Sequence, residues 1–132
     1  MIGLDTNILV RFIAQDHPAQ TAAATRLIDS LSPETPGYLS LVVIAELLWV
    51  LRFSYRFDKD EIERVVERLL RSRELMLEQE DVVAKALLQF RTTRSDFADC
   101  LIECGSRAAG CEQILTFDKR AVSTGMRLLA TA

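Results

Sequence analysis

Met1-Ile2-Gly3-Leu4-Asp5-Thr6-Asn7 opens the chain, and how it is read decides the fold. Ile2, Gly3 and Leu4 are a short apolar run. That length fits a buried strand of a parallel sheet, although periodicity does not separate strand from helix over so few residues. Asp5 ends the run, and Thr6 and Asn7 supply capping groups before the next apolar segment, Ile8 to Ile13. The order strand, acid, helix start puts Asp5 at the carboxyl end of a strand, where ligands bind in open parallel α/β sheets.

The same alternation continues along the chain. Pro18 suits the first turn of a helix carrying Ala22, Ala23, Leu27, Ile28 and Leu31 at helical spacing. Ser32-Pro33-Glu34-Thr35-Pro36-Gly37 reads as a loop, and Tyr38-Leu39 as a short strand. Ser40 is placed to cap an apolar helix from Leu41 to about Phe53. Asp58 starts another helix, through Ile62, Val65, Val66, Leu69 and Leu70, with a charged outer face. Leu75–Leu77 predicts a strand and Asp81–Phe90 a helix. Ser95-Asp96-Phe97-Ala98-Asp99 opens a helix reaching about Ala109 and ending at Gly110. Gln113–Phe117 predicts a strand with Asp118 at its carboxyl end, and Arg127–Leu129 a last short strand. Strands alternating with helices predict an α/β fold with a mostly parallel sheet, right-handed crossovers and helices on both faces. At 132 residues, one domain spanning 1–132 is expected.

Composition narrows the classes. The hydrophobic fraction of 49% is at the top of the globular range, and the apolar stretches fall short of a membrane span. Leu41 to Leu51 comes nearest, and Glu46 interrupts it. The N-terminus lacks the basic flank of a signal peptide, so a soluble, cytoplasmic protein is expected. A net charge of −3 and a pI near 5.2 argue against a general nucleic-acid coat protein. They leave room for an enzyme that gathers acids in a metal pocket with bases at its rim. The odd count of three cysteines (Cys100, Cys104 and Cys111) argues against a disulfide framework and for a reducing compartment. With no CxxC pair and the single histidine, His17, far away, packing in an apolar helix explains them better than zinc.

Several acids stand in contexts hostile to charge. Glu46 lies inside Leu41-Val42-Val43-Ile44-Ala45-Glu46-Leu47-Leu48-Trp49-Val50-Leu51, a helix apolar nearly all round. It is either buried, which requires a cation, a partner or a proton, or it marks the one wetted stripe. Asp96 and Asp99, three apart in a first turn, share a face, where the helix dipole alone also favours acids. Glu103 continues that face, with solvated surface acid as the alternative. Asp118 follows a strand and is equally placed to be a plain N-cap. The case is the set, since in a doubly wound sheet Asp5, Glu46, Asp99 and Asp118 can converge on one edge. Clustered carboxylates repel and require protons or cations. Oxygen-only ligands select magnesium or manganese, ions that polarise a phosphodiester and lower the pKa of an attacking water. No Ser-His-Asp or Cys-His arrangement competes, because His17 precedes Pro18 in an expected loop.

Taken in series, Ile2-Gly3-Leu4-Asp5-Thr6-Asn7, Glu46 in its apolar helix, Asp96-Phe97-Ala98-Asp99-Cys100-Leu101-Ile102 and Leu115-Thr116-Phe117-Asp118 resemble the PIN-domain ribonucleases. More narrowly they resemble the VapC toxins of bacterial type II toxin–antitoxin systems, over nearly the whole chain with order and spacing kept. The resemblance implies a three-layer α/β/α sandwich around a short, mostly parallel sheet, and a Mg2+- or Mn2+-dependent endoribonuclease. Asp5, Glu46 and Asp99 would be the principal acids and Asp118 a fourth, with Asp5 and Asp99 as direct metal ligands. Thr6 and Thr116 match hydroxyl positions that support the acids or bind phosphate, and Asn7 and Asp96 are supporting candidates. Glu103 stands where such proteins often have a small residue. The family further implies a homodimer, and a small antitoxin whose tail fills the groove and presents a basic residue to the acids.

RNA contact requires cations, and Arg11, Arg52, Arg91, Arg94, Lys119 and Arg120 lie near the matched stretches. Such contacts give salt-sensitive affinity without sequence preference, and each of these residues is equally explained as a solvated helix end. Two other classes compete. A receiver-type phosphoacceptor domain wants adjacent acids after the first strand, and Asp5 has no acidic neighbour. A PIN-like fold used only for binding would take up no divalent ion. A haloacid-dehalogenase-type phosphatase is disfavoured because Asn7 stands where its second Asp belongs.

Overall fold

The computed structural model describes residues 1–131; Ala132, the last residue of the expected domain, lies outside them. The chain is α/β and helix-rich, and its backbone gathers into two compact units, Met1–Glu80 and one that begins at Asp81. Among the described residues no helix is long and apolar enough to cross a membrane.

The first unit runs β1 (Ile2–Gly3), α1 (Thr6–Ala14), α2 (Pro18–Asp29), β2 (Gly37–Leu39), α3 (Leu41–Phe53), α4 (Lys59–Arg71) and β3 (Leu75–Leu77). The strands form a parallel sheet in the order β1-β2-β3, with Gly37 opposite both Ile2 and Leu75. Parallel neighbours need crossovers, and the helix pairs α1–α2 and α3–α4 supply them. Gly37 is required by packing: a Cβ there would lie 2.8 Å from Leu4 Cδ1 and 3.0 Å from Leu31 Cδ1. The core is built from Leu9, Leu39, Ile44, Leu47, Leu51, Ile62 and Val66, each at most 2% exposed.

Caps fix where these helices begin. Ser40 Oγ accepts from the Val43 amide at 3.2 Å, as its position predicts. Glu78, one residue past β3, adds a second acceptor for the same helix end, taking the Leu41 amide at 2.7 Å. Asp58 and Glu61 form a reciprocal capping box on α4. His17, expected in a loop, is the N-cap of α2, its Nδ1 accepting from the Gln20 amide at 3.2 Å. The end of α1 is tied to the residues after α3: Tyr55 donates its hydroxyl to Asp16 at 2.7 Å, and Arg11 reaches both.

The second unit contains α5 (Glu80–Thr92) from its second residue on, α6 (Phe97–Ala108), β4 (Leu115–Thr116), a 3-10 helix (Lys119–Thr124) and β5 (Arg127–Leu128). Strands β4 and β5 pair in parallel, Leu115 opposite Arg127. The strand expected over Gln113–Phe117 pairs through two residues only, because β5 offers only two partners. The 3-10 helix, which the sequence reading does not anticipate, is their crossover. It ends at Gly125, whose φ of 103° is the left-handed region that glycine enters without strain. Phe90 and Phe97 meet edge to face at 5.6 Å, and Cys100 is fully buried, as the packing reading of the cysteines predicts; Cys104 is half-buried, and Cys111, exposed beyond the end of α6, departs from that reading. Ile114, Ala121 and Met126 form a small cluster of their own.

Candidate active site

The first unit contributes Asp5, Thr6, Asn7 and Glu46. Asp5 closes β1 and caps α1, one carboxylate oxygen accepting from the Thr6 amide at 2.7 Å while the residue stays exposed. The cap leaves the other oxygen open to an external ligand. Thr6 is 6% exposed, and its Oγ1 is buried without a hydrogen-bond partner among the described residues. Such an orphan costs on the order of 1–3 kcal/mol. Asn7 is exposed on the first turn of α1.

Glu46 takes the second of its two sequence readings. It lies on an exposed stripe of α3 that also carries Val42, Trp49 and Phe53 at 76%, 56% and 47% exposure. The opposite face buries Ile44, Leu47, Leu48 and Leu51. The helix is apolar on its exposed side too, so its composition implied more burial than it has. The Trp49 and Phe53 rings meet at a tilt of 47° with centroids 5.4 Å apart, and the Arg52 guanidinium stands 5.6 Å from the Phe53 ring centre.

The second unit gathers three acids. Asp96 occupies the N-cap position of α6, yet its side chain makes no capping bond; its backbone carbonyl accepts from the Asp99 amide at 3.0 Å instead. Asp96 thus stands at the helix N-terminus, where the dipole favours an acid, without supplying a capping bond. Asp99, in the first turn of α6, is half-buried, and this burial pushes its pKa above the usual carboxylate value. The Asp96 and Asp118 carboxylates push it further the same way, while a backbone hydrogen bond from Asp96 and the Arg120 charge pull against them. Asp118 does cap its helix, accepting from the Arg120 amide at 2.9 Å, and pairs with Arg120 Nε at 3.6 Å. Thr116 Oγ1 accepts from the Asp118 amide at 3.0 Å, so the Thr116 hydroxyl fixes the backbone that carries the acid.

Ser95 is a residue that sequence reasoning missed. It is 4% exposed, donates its hydroxyl to the Arg120 carbonyl and stands 3.2 Å from Ser123 Oγ. It thereby ties the loop bearing Asp96 to the 3-10 helix capped by Asp118. Glu103 is only 7% exposed and is held by Arg107 Nε at 2.8 Å and Gln89 Nε2 at 3.3 Å, so it is committed elsewhere. The solvated-surface reading of Glu103 is thereby replaced: its partners on α5 and α6 cover it.

Among the described residues no three His, Cys, Asp or Glu side chains stand ready as the ligands of one ion. The chemistry of the donors nonetheless fits a hard divalent cation: all are carboxylate oxygens, and the repulsion felt by Asp99 is the kind a cation relieves.

Residues 2–125 match the family model described as the PIN domain. Over 125 residues, 94% of this chain and 92% of the relative, the sequence is 22% identical to a VapC ribonuclease of Aquifex aeolicus (strain VF5). With its short parallel strands, its helical crossovers and a family match over nearly its whole length, the chain belongs to the PIN domain family.

Proposed function

We propose that this protein is a Mg2+- or Mn2+-dependent endoribonuclease, cytoplasmic, and the toxin of a toxin–antitoxin pair. The observation that carries the reading is Asp99, half-buried, crowded by Asp96 and Asp118, and raised in pKa by all three causes. Membership of the PIN domain family and the similarity to a VapC ribonuclease support the same reading.

Asp5 and Asp99 are the metal ligands in this proposal, and Glu46 and Asp118 complete the catalytic acids. Asn7 and Asp96 support them, and the Thr116 hydroxyl holds the backbone that carries Asp118; the Thr6 hydroxyl, buried without a partner among the described residues, holds neither a backbone nor a phosphate. The bound ion supplies Lewis-acid polarisation of the phosphodiester and a lower pKa for the attacking water. Asp118, fixed by the Thr116 hydroxyl and the Arg120 amide, accepts a proton or orients water without moving its backbone. Lys119 and Arg120, both exposed, supply phosphate contacts beside the acids.

Two surfaces of the first unit support the partners. An apolar cleft of about 360 Å³ lies between α1, α2 and α4, lined by Leu9, Phe12, Ile13, Leu69 and Leu75, with Arg68, Asp29 and Glu74 among its polar lining. It suits a segment of a small antitoxin that presents apolar side chains. The exposed Val42, Trp49 and Phe53 on α3 suit a second copy of the chain, since contiguous apolar area of this kind marks interaction surfaces.

The test is cleavage of total RNA with Mg2+ or Mn2+ by wild type, Asp5→Asn and Asp99→Asn. Cleavage by wild type alone is expected. Equal activity in all three sinks the reading.

A further inference from the structure

Glu103 is a buried carboxylate that the proposed chemistry does not use. Its two oxygens are taken by different elements: Oε1 accepts from Arg107 Nε at 2.8 Å and Oε2 from Gln89 Nε2 at 3.3 Å. Gln89 Nε2 also donates to the Thr124 carbonyl at 2.5 Å. Arg107 extends Nη1 to the Glu112 carbonyl at 2.7 Å and Nη2 to the Gly125 carbonyl at 3.4 Å. A Cβ at Gly125 would sit 3.1 Å from Glu103 Oε1, so the turn rests directly against the carboxylate. Glu103, Arg107 and Gln89 therefore grip Thr124 and Gly125, the last residue of the 3-10 helix and its cap.

The other end of that helix begins at Asp118, where Ser95 holds the Arg120 carbonyl. The clamps hold Arg120, near the start of the six-residue 3-10 helix, and Thr124, its last residue, and two-residue strands flank it. A 3-10 helix has poor hydrogen-bond geometry and rarely runs beyond three or four residues. A run of six that begins after Asp118 therefore leans on its clamps, which add to the hold of Thr116 on the Asp118 backbone. Asp99 lies one turn before Glu103 on α6, so the same helix carries both the acid and the anchor.

We infer that Glu103, with Arg107 and Gln89, is a positioning device for Asp118: the buried pair on α6 fixes the end of the 3-10 helix and thereby holds Asp118 in register with Asp99. The inference rests on the nuclease reading, in which Asp118 is one of the working acids. Glu103 touches neither substrate nor metal in this account and acts only through the helix it grips.

The test compares full-length wild type with Glu103→Ala, Glu103→Gln and Ile62→Val. Ile62 is a buried residue of the first unit and controls for general loosening of the core. Amide hydrogen exchange over residues 119–125 and kcat at saturating Mn2+ are read for each, with a calorimetric Mn2+ titration beside them. In Glu103→Ala, exchange over those residues should rise, and kcat at saturating Mn2+ should fall about 10-fold, the size of effect seen for groups that orient a working residue. Its Mn2+ affinity should stay close to wild type, because Asp5 and Asp99, the proposed ligands, are untouched. Glu103→Gln keeps an acceptor oxygen and should restore most of both readouts, and Ile62→Val should change neither. If Glu103→Ala does not fold, Gln89→Leu cuts the same tie to Thr124 and takes its place. Wild-type exchange and kcat in Glu103→Ala, or an equal loss in Ile62→Val, overturns the positioning role alone. A wild-type protein that binds no Mn2+ overturns the nuclease reading and the positioning role with it.

Discussion

Replacing Asp99 by Asn should stabilise the metal-free protein and destabilise it relative to wild type once Mg2+ is added. In the absence of a cation Asp99 is raised in pKa by burial and by the charges of Asp96 and Asp118, partly offset by Arg120. An acid with a raised native pKa binds its proton more tightly folded than unfolded. Its deficit is therefore absent below the ordinary value of 3.8, grows as the pH climbs through the native pKa, and is complete above it. Because the carboxyl is partly exposed, solvent screens each like-charge contact. Removing the charge at pH 7 is then worth on the order of 1 kcal/mol, and not more. For a chain of this length that raises Tm by about 4 °C. Magnesium reverses the order. At 100 times its Kd an ion bound only by the native state adds about 2.7 kcal/mol, or roughly 10 °C, to wild type and little to the variant that lacks a ligand. Thermal melts of both proteins in chelator and in saturating Mg2+ give four midpoints. The reasoning demands that they cross: Asn above Asp without metal, Asp above Asn with it. The metal-free gap should also close as the pH approaches 4. An Asn variant that melts below wild type in chelator, or a Mg2+ shift of equal size in both proteins, would refute the electrostatic account of this site.

Two changes in the first unit test the packing that carries Asp5 and α3. Gly37→Ala pushes a methyl against Leu4 and Leu31 and should cost about 1–3 kcal/mol, read as a lower urea midpoint. A midpoint equal to wild type would show that the sheet tolerates the extra carbon. Glu78→Ala removes the second acceptor at the N-terminus of α3 and should cost about 1 kcal/mol in a melt followed by circular dichroism, with Ser40 still in place.

How much of this was legible depended on whether the signal was local. Helix starts were for α3 and α4: Ser40 and Asp58 are acceptors immediately before apolar periodicity, and each accepts from its helix as that position requires. At α1 the expected capping groups, Thr6 and Asn7, lie inside the helix, and Asp5 is the cap, because its carboxylate reaches the Thr6 amide. The parallel class followed from the alternation of elements, because a helix between successive strands supplies the crossover that parallel pairing needs. The 3-10 helix was not read, although Asp118 before it and Gly125 after it are a cap and a stop. Six residues without an i, i+4 apolar pattern give no period to detect, and what holds the segment, Ser95 and Gln89, is far away in sequence.

The acids divide along the same line. Asp96 sits where a sequence reader expects a cap, and only coordinates reveal that the capping bond is absent. Glu46 shows the converse: mean apolarity measures a helix, not its faces, and α3 keeps Val42, Trp49 and Phe53 on its wet side beside the one acid. Its burial therefore cannot be the argument for its role. If Glu46 works as a catalytic acid, it does so as an exposed carboxylate between Val42 and Trp49, and a second copy seated on that stripe must leave it open to a cation or an RNA phosphate. Glu103 and Arg107 are an i, i+4 pair of a kind usually assigned to the surface, where such pairs contribute a few tenths of a kcal/mol. What changes its meaning is Gln89 and the turn at Gly125, which close over the carboxylate and make a routine helix pair the anchor of a distant loop. An acid of this family can therefore be recognised by type and spacing, but whether it binds a cation or holds the chain in place is decided by what the tertiary fold lays on top of it.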